Sequence, residues 1–260
     1  MIFFLKYFIA RLSILFLKKV RFINNKNENC FLLYHSIVEE KITNNNNLDL
    51  ISLSNFKEQC KYLKLRYHNR LNKIEDFFNN QPSIILTFDD GYKTVLSNVV
   101  PIIEKYQISI IVFICPELVG KKGYLNLNEI KKIYKSKYVS IGLHGYRHIY
   151  YGNTDIEIFK NHLKLSKQWF EKNIDSNFTK YFSFPFGSYN QKMIDYIENN
   201  FCFEYYYTSY FGTCDIKSIN KNFIPRVSIW NIDKIEVFDE KINGLWNFLN
   251  KFIKNNENKN

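Results

Sequence analysis

The feature that most constrains this chain is an alternation. Seven short runs rich in β-branched and aromatic residues, at 30–35, 83–88, 109–114, 138–143, 180–184, 203–208 and 223–229, are separated by segments of helical character. Those segments fall at 54–67, 92–106, 128–136, 155–173 and 188–200, with a last one at 239–253. Strands that alternate with helices pair in parallel and bury both faces, so the pattern predicts an α/β fold built on a parallel sheet or barrel. The chain has 260 residues, is 46% apolar and holds only 9 Gly and 5 Pro, enough for one sizeable core; no internal repeat or interdomain linker interrupts it. In a barrel of this kind, chemistry gathers where strands end and loops begin.

Four strand ends carry candidate residues. The run at 83–88 closes into Asp89-Asp90-Gly91, and two adjacent carboxylates repel unless a cation or a shared proton offsets the repulsion. The same three residues also read as a turn in which Asp90 caps the following helix. After 138–143 come His144 and His148, two of only five histidines. Spaced four apart, they would lie on one side of a helical turn and could share a divalent ion. One Asp plus two His is a three-ligand set that leaves positions open for water and substrate, as a hydrolytic metal site requires. The third end, Phe184-Pro185-Phe186-Gly187, offers apolar faces for stacking a sugar ring and a backbone N–H for an oxyanion. The fourth is His35, just past the first run. Amide hydrolysis needs an acid for the departing amine, and His68 and His162 sit in helical polar stretches, which leaves His35 best placed.

Taken together, these blocks resemble the polysaccharide deacetylase family with the NodB homology domain, also called carbohydrate esterase family 4. Thr87-Phe88-Asp89-Asp90-Gly91 matches its first motif, His144-x-x-x-His148 its second and Ser183-Phe184-Pro185-Phe186-Gly187 a variant of its third, the likeness running from about residue 30 to about 230. The resemblance implies a single-domain, distorted (β/α)7 barrel over 27–250. It also implies Asp90, His144 and His148 as ligands of a divalent metal, usually zinc, and Asp89 as the base. Pro185, Phe186, Gly187 and Arg226 would form the substrate and oxyanion side. The activity implied is removal of N-acetyl groups from amino sugars of a cell-surface polysaccharide or lipid-linked glycan. A deformylase or other deacylase of a lipid-linked amino sugar, and a carbohydrate-binding descendant without turnover, are the rival readings.

Two departures from the family pattern stand out. Ser183 occupies the place of an Arg that in most members orients the catalytic Asp, and no His follows His162 to supply the acid. A subset resembling deacetylases of exported poly-N-acetylglucosamine takes its acid from an N-terminal Tyr-His block, which Tyr34-His35-Ser36 matches, so the resemblance implies His35 in that role. Arg226, within Ile224-Pro225-Arg226-Val227, either supplies the missing guanidinium or is a surface Arg at a strand start.

Charge excludes one class of partner. The net charge is +11, yet residues 1–26 hold six Lys and Arg with no acid and residues 251–260 contribute +2, leaving +3 for 27–250. No basic groove for a phosphate backbone follows, and a nucleic-acid role is not expected. The opening MIFFLKYFIARLSILFLKKV is broken by Lys6 and Arg11, too short in apolar run for a spanning helix and without a cleavage site. It is expected to be an interfacial helix, with Arg11 and Lys18 on one face toward anionic headgroups and peripheral membrane contact through residues 1–21. A first helix docked on the protein's own core is the alternative. Five widely spaced cysteines suggest no disulfide framework and lean toward the cytoplasmic side of a membrane. Residues 251–260 are expected to form a polar, disordered tail.

Overall fold

The computed structural model describes Tyr7, Arg11, Leu12 and residues 28–39, 48–72, 82–175, 177, 179–201, 203–215 and 223–248. Its centre is a closed barrel of seven parallel strands: β1 (Glu28–Tyr34), β4 (Ile84–Phe88), β5 (Ile110–Ile114), β6 (Val139–Leu143), β7 (Tyr181–Ser183), β8 (Tyr205–Phe211) and β10 (Ile224–Ser228). Neighbours in the barrel follow chain order, and the last strand returns to the first, with Leu32 opposite Val227 and Leu33 opposite Ser228. All seven predicted runs are barrel strands. Two small additions went unpredicted: the parallel pair β2 (Ser36–Val38) and β3 (Leu50–Ser52), and β9 (Cys214–Asp215), antiparallel to β1.

Period-two alternation sorts the strand side chains into two cores. Phe31, Ile85, Ile111, Phe113, Tyr205, Tyr207 and Ile224 form one cluster, which we place in the barrel lumen. The alternate residues, such as Leu32, Leu86, Phe88, Val112 and Val227, join the larger cluster beneath the helices. The lumen set continues along each strand: Phe31 leads to Leu33 and His35, Ile85 to Thr87 and Asp89, Tyr181 to Ser183, and Ile224 to Arg226. The inward rows therefore turn from apolar to polar at the carboxyl end of the barrel.

The helices follow the expected segments with two differences. The segment after Asp-Asp-Gly begins with a π-helical turn at Val95–Val99 before becoming α-helical at Val100–Tyr106. The last helix runs Ile235–Ile242 and not 239–253, because Gly244 at φ +72 ends it in the left-handed region that glycine adopts most easily. Among the described residues no helix is long and apolar enough to cross a membrane. Of the N-terminal segment only Tyr7, Arg11 and Leu12 are described, and the tail 251–260 lies outside the described residues.

Two of those three residues face the protein. The Tyr7 ring packs on Trp246 and Trp230, its hydroxyl donates to Asp233 at 3.4 Å, and Arg11 pairs with the fully buried carboxylate of Glu240. Arg11, expected on the headgroup face, is thus engaged by the domain, because a buried Glu attracts the nearest guanidinium more strongly than solvent does. Trp246 Nε1 also donates to Glu240, at 3.2 Å. Arg11→Ala is predicted to lower stability by about 1–3 kcal/mol, since it removes a charged hydrogen-bond donor from a buried carboxylate. Urea unfolding followed by tryptophan emission measures this, and an unchanged midpoint would contradict the pairing.

Candidate metal centre and active site

At the end of β4 the inward row delivers Asp89, whose N–H donates to the Tyr34 carbonyl at 3.0 Å and so extends the β1–β4 ladder by one step. Its carboxylate meets Arg226 in a two-pronged pair. One terminal nitrogen donates to Oδ1 at 2.7 Å, the other to Oδ2 at 2.8 Å. Nε of Arg226 donates to the Thr208 carbonyl at 2.9 Å, and the guanidinium reaches Ser183 Oγ at 2.9 Å and Thr87 Oγ1 at 3.3 Å. Every donor group of the arginine is used, with Phe113 on one side of the cation at 5.6 Å. Such a fork is the geometry that a carboxylate accepts best.

Arg226 is 0% exposed, which corrects both expectations of it as a surface residue and as a substrate contact. It lies behind Asp89 in the lumen and holds that carboxylate, as a guanidinium at position 183 would have done. Ser183 is small enough to leave the space and adds an acceptor for the arginine. Burial on its own would raise the Asp89 pKa, but Arg226, followed by His144, pulls it well below the usual carboxylate range.

Asp90 follows in the left-handed region, at φ 71, so the chain turns sharply away from the strand while its carboxylate stays buried. Aspartate tolerates that conformation better than most residues. Around Asp90 Oδ1 stand His148 Nε2 at 3.0 Å and His144 Nε2 at 3.4 Å, and His144 Nε2 is also 3.7 Å from Asp89 Oδ2. One donor atom from each of Asp90, His144 and His148 lies within 4.8 Å of the others. His144 is fixed by its second nitrogen: Nδ1 lies 2.9 Å from the Ser183 carbonyl, which as an obligate acceptor places the proton on Nδ1 and the lone pair of Nε2 toward the carboxylates.

Chemically these three residues are able to hold a cation. Asp90 Oδ1 is buried without a hydrogen bond of good geometry, and the imidazole nearest the barrel aims a lone pair at the same spot. Lone pairs converging on one point repel unless a positive charge joins them. Burial lowers the His144 pKa. For His148, burial works against charge, but the adjacent Asp90 carboxylate outweighs it and raises the pKa. Two imidazoles and one carboxylate suit a divalent ion with open positions left over.

The imidazoles do not meet through a helical turn, as the four-residue spacing suggests. Residues 144–150 form an irregular loop, with Gly145 at φ 66, because Asp90 and Ser183 hold His144 at the strand end while the chain bends around it. His35, at the end of β1, lines the same cleft of about 260 Å³ as Asp89, Asp90, His144, His148 and Phe186, together with Asp49 and Ser209. From the third block only Phe186 lines that cleft. Pro185 is buried, and Gly187, at φ 64, packs so closely that a Cβ would sit 2.8 Å from Ser209. These two residues shape the turn and are not expected to touch substrate. The Phe186 ring, 43% exposed, lies 4.3 Å from the His148 ring and stacks on Tyr150, 58% exposed, at 3.9 Å and 6°. Sequence reasoning missed Tyr150, since an aromatic in so tyrosine-rich a chain carries no signal by itself.

Comparison with known proteins agrees with this geometry. Residues 79–200 match the family model described as polysaccharide deacetylase. That polysaccharide deacetylase match spans 122 of the 260 residues and includes Asp89, Asp90, His144, His148 and Phe186. It is 26% identical over 200 residues to the poly-β-1,6-N-acetyl-D-glucosamine N-deacetylase of Staphylococcus aureus strain MRSA252, covering 70% of this chain and 65% of that protein. A Bacillus subtilis relative is 24% identical over 170 residues, covering 63% of this chain and 58% of its own. The chain thus spans about three fifths of the length of these curated relatives. Among solved structures, the Streptococcus pyogenes deacetylase PplD superposes with a TM-score of 0.73 at 20% identity, over 83% of this chain and 98% of that one. IcaB from Ammonifex degensii gives 0.70 at 18% identity, over 84% and 98%. These two likenesses establish the shared barrel fold.

The Asp89–Arg226 pair generates a stability prediction. Arg226→Leu is expected to cost about 3–5 kcal/mol by stranding a buried charge. Asp89→Asn should cost less, because its amide oxygen still accepts. In the double variant the losses should fall well short of their sum; losses that simply add in denaturant unfolding would contradict direct coupling.

Proposed function

We propose that this chain is a metal-dependent hydrolase that removes N-acetyl groups from amino sugars of a polysaccharide, releasing acetate and leaving a free amine on the sugar. The observation that carries the reading is the adjacency of two differently held carboxylates. Asp89 is clamped by a buried guanidinium, and its neighbour Asp90 stands with two imidazoles around one point. The polysaccharide deacetylase match over residues 79–200 and the S. aureus relative, named for an N-acetylglucosamine polymer, support the same reading.

Asp90, His144 and His148 would hold the ion, for which zinc suits the donor set. When bound, a divalent cation there acidifies water and polarises an amide carbonyl. The chain's own residues supply the rest. Asp89 stays ionised and, held at both oxygens by Arg226, keeps a fixed orientation in which it accepts a proton from the attacking water. The clamp lowers its basicity, so Asp89 is suited to water that is already acidic and not to bulk water. His35, across the cleft, gives a proton to the amine nitrogen as the C–N bond breaks, and the Phe186 N–H is the proposed donor to the carbonyl oxygen as negative charge grows there. Water adds across the amide, so one acetate and one amine account for every atom.

The exposed Tyr150–Phe186 stack beside His148 is the proposed seat for the sugar ring, whose C–H face packs on aromatic carbon while its hydroxyls remain in water. Two measurements test the reading. Acetate release from N-acetylglucosamine oligomers should disappear with a chelator and return with added zinc. Asp89→Asn should cost at least about 100-fold in kcat, and His35→Ala more than about tenfold, with both variants still folded and binding the ion. Full turnover in Asp89→Asn would reject it as the base. Tyr150→Ala, remote from the reacting atoms, is predicted to raise KM several-fold with kcat nearly unchanged; an unchanged KM would remove Tyr150 from the substrate path.

A further inference from the structure

The loop that brings His144 and His148 together has no regular secondary structure to hold it, yet its backbone converges on one atom. The N–H groups of Tyr146 and Arg147 both donate to the hydroxyl oxygen of Tyr151, each at 3.3 Å. The same hydroxyl lies 3.1 Å from the Arg147 carbonyl, to which it donates, and 3.1 Å from Nδ1 of His162 on the long helix Ile156–Asn173. A tyrosine hydroxyl has one hydrogen and two lone pairs, so two amides fill its acceptor capacity and the hydrogen serves the Arg147 carbonyl. The ring is fully buried, edge-on to Phe159 at 5.2 Å and to His162 at 5.8 Å.

Gly145 and Tyr151 are matched in shape. A Cβ at position 145 would lie 2.8 Å from the Tyr151 ring and 2.9 Å from its hydroxyl, and the backbone there is left-handed at φ 66. On the other side of the loop, the Tyr146 carbonyl accepts from the Glu117 N–H at 3.0 Å, and Arg147 Nε pairs with Glu117 at 2.8 Å. A phenylalanine at 151 would fill the same core volume. It would lack the hydroxyl that holds the Tyr146 and Arg147 amides.

We propose that Tyr151 is a positioning residue whose hydroxyl, through the amides of Tyr146 and Arg147, fixes the separation of His144 and His148 for a divalent ion, with Gly145 leaving room for its ring. This rests on the metal reading above. Removing the hydroxyl frees two part-buried N–H groups to seek other partners, and the loop loses the registration between its two imidazoles. Loss of a group that orients a metal ligand characteristically weakens metal affinity about 10- to 100-fold.

The test uses the full chain and zinc alone, with affinity read by competition against a chromophoric chelator. Tyr151→Phe should bind zinc at least about tenfold more weakly than wild type. Phe159→Leu disturbs the same ring packing without touching the loop amides, and it should bind zinc as wild type does. Equal affinity in Tyr151→Phe and wild type, or an equal loss in both variants, would overturn the proposal. Hydrogen exchange on the unaltered protein provides a check that needs no variant: the Tyr146 and Arg147 amides should be protected, and exchange at open-loop rates would overturn it. A wild-type protein that takes up no zinc would reject the metal reading itself, and the Tyr151 proposal with it.

Discussion

A guanidinium buried inside a barrel is tolerable only beside a negative charge, and that requirement organises the active end of this protein. Arg226 and Asp89 are 137 positions apart in sequence, and they touch because β10 closes onto β1, which pairs in turn with β4. The pair stands where the inward rows change from Phe, Ile and Tyr to Thr, Asp, Ser and Arg. Below it the lumen is apolar and above it the cleft opens to solvent. Barrel closure and the charge pair therefore support each other: one needs the strands in register, the other makes misregister costly.

The cleft built on that base separates two jobs between adjacent carboxylates. Asp89 continues the strand and is tied backward to the arginine. Asp90 leaves the strand through a left-handed residue and faces the imidazoles. A single backbone turn thus provides one carboxylate committed to a guanidinium and another with an unmatched oxygen. His144 connects the two, near both carboxylates through Nε2 and tied through Nδ1 to the carbonyl of Ser183, whose hydroxyl also meets Arg226. One residue of β7 thereby orients both the arginine and a candidate metal ligand.

Much of this was legible in the sequence, and the remainder divides by physical cause. The seven strands announced themselves because a buried parallel strand is nearly all apolar, and Asp-Asp-Gly and the paired histidines stood out because those residues are costly at strand ends. Period-two counting along each strand also reaches the right inward set, from Ile224 to Arg226 and from Ile85 to Asp89. What it lacks is the knowledge that these two rows meet. The course of the chain between His144 and His148 was misread, since spacing alone cannot separate a helical turn from a loop gathered around a distant hydroxyl. The last helix lies earlier than its apolar spacing suggests because Asn243-Gly244 stops it after Ile242. The resemblance implies Pro185 and Gly187 as site residues, and they serve the turn that presents Phe186.

Asp90, His144 and His148 are proposed to share one ion beside the arginine-held Asp89. Diffraction from crystals soaked in a zinc salt, recorded on both sides of the zinc absorption edge, tests it most directly. The account predicts one anomalous peak within bonding distance of Asp90 Oδ1, His144 Nε2 and His148 Nε2, with the Asp89–Arg226 pair unbroken beside it. Crystals that carry zinc elsewhere on the molecule but show no peak between those three atoms would contradict it.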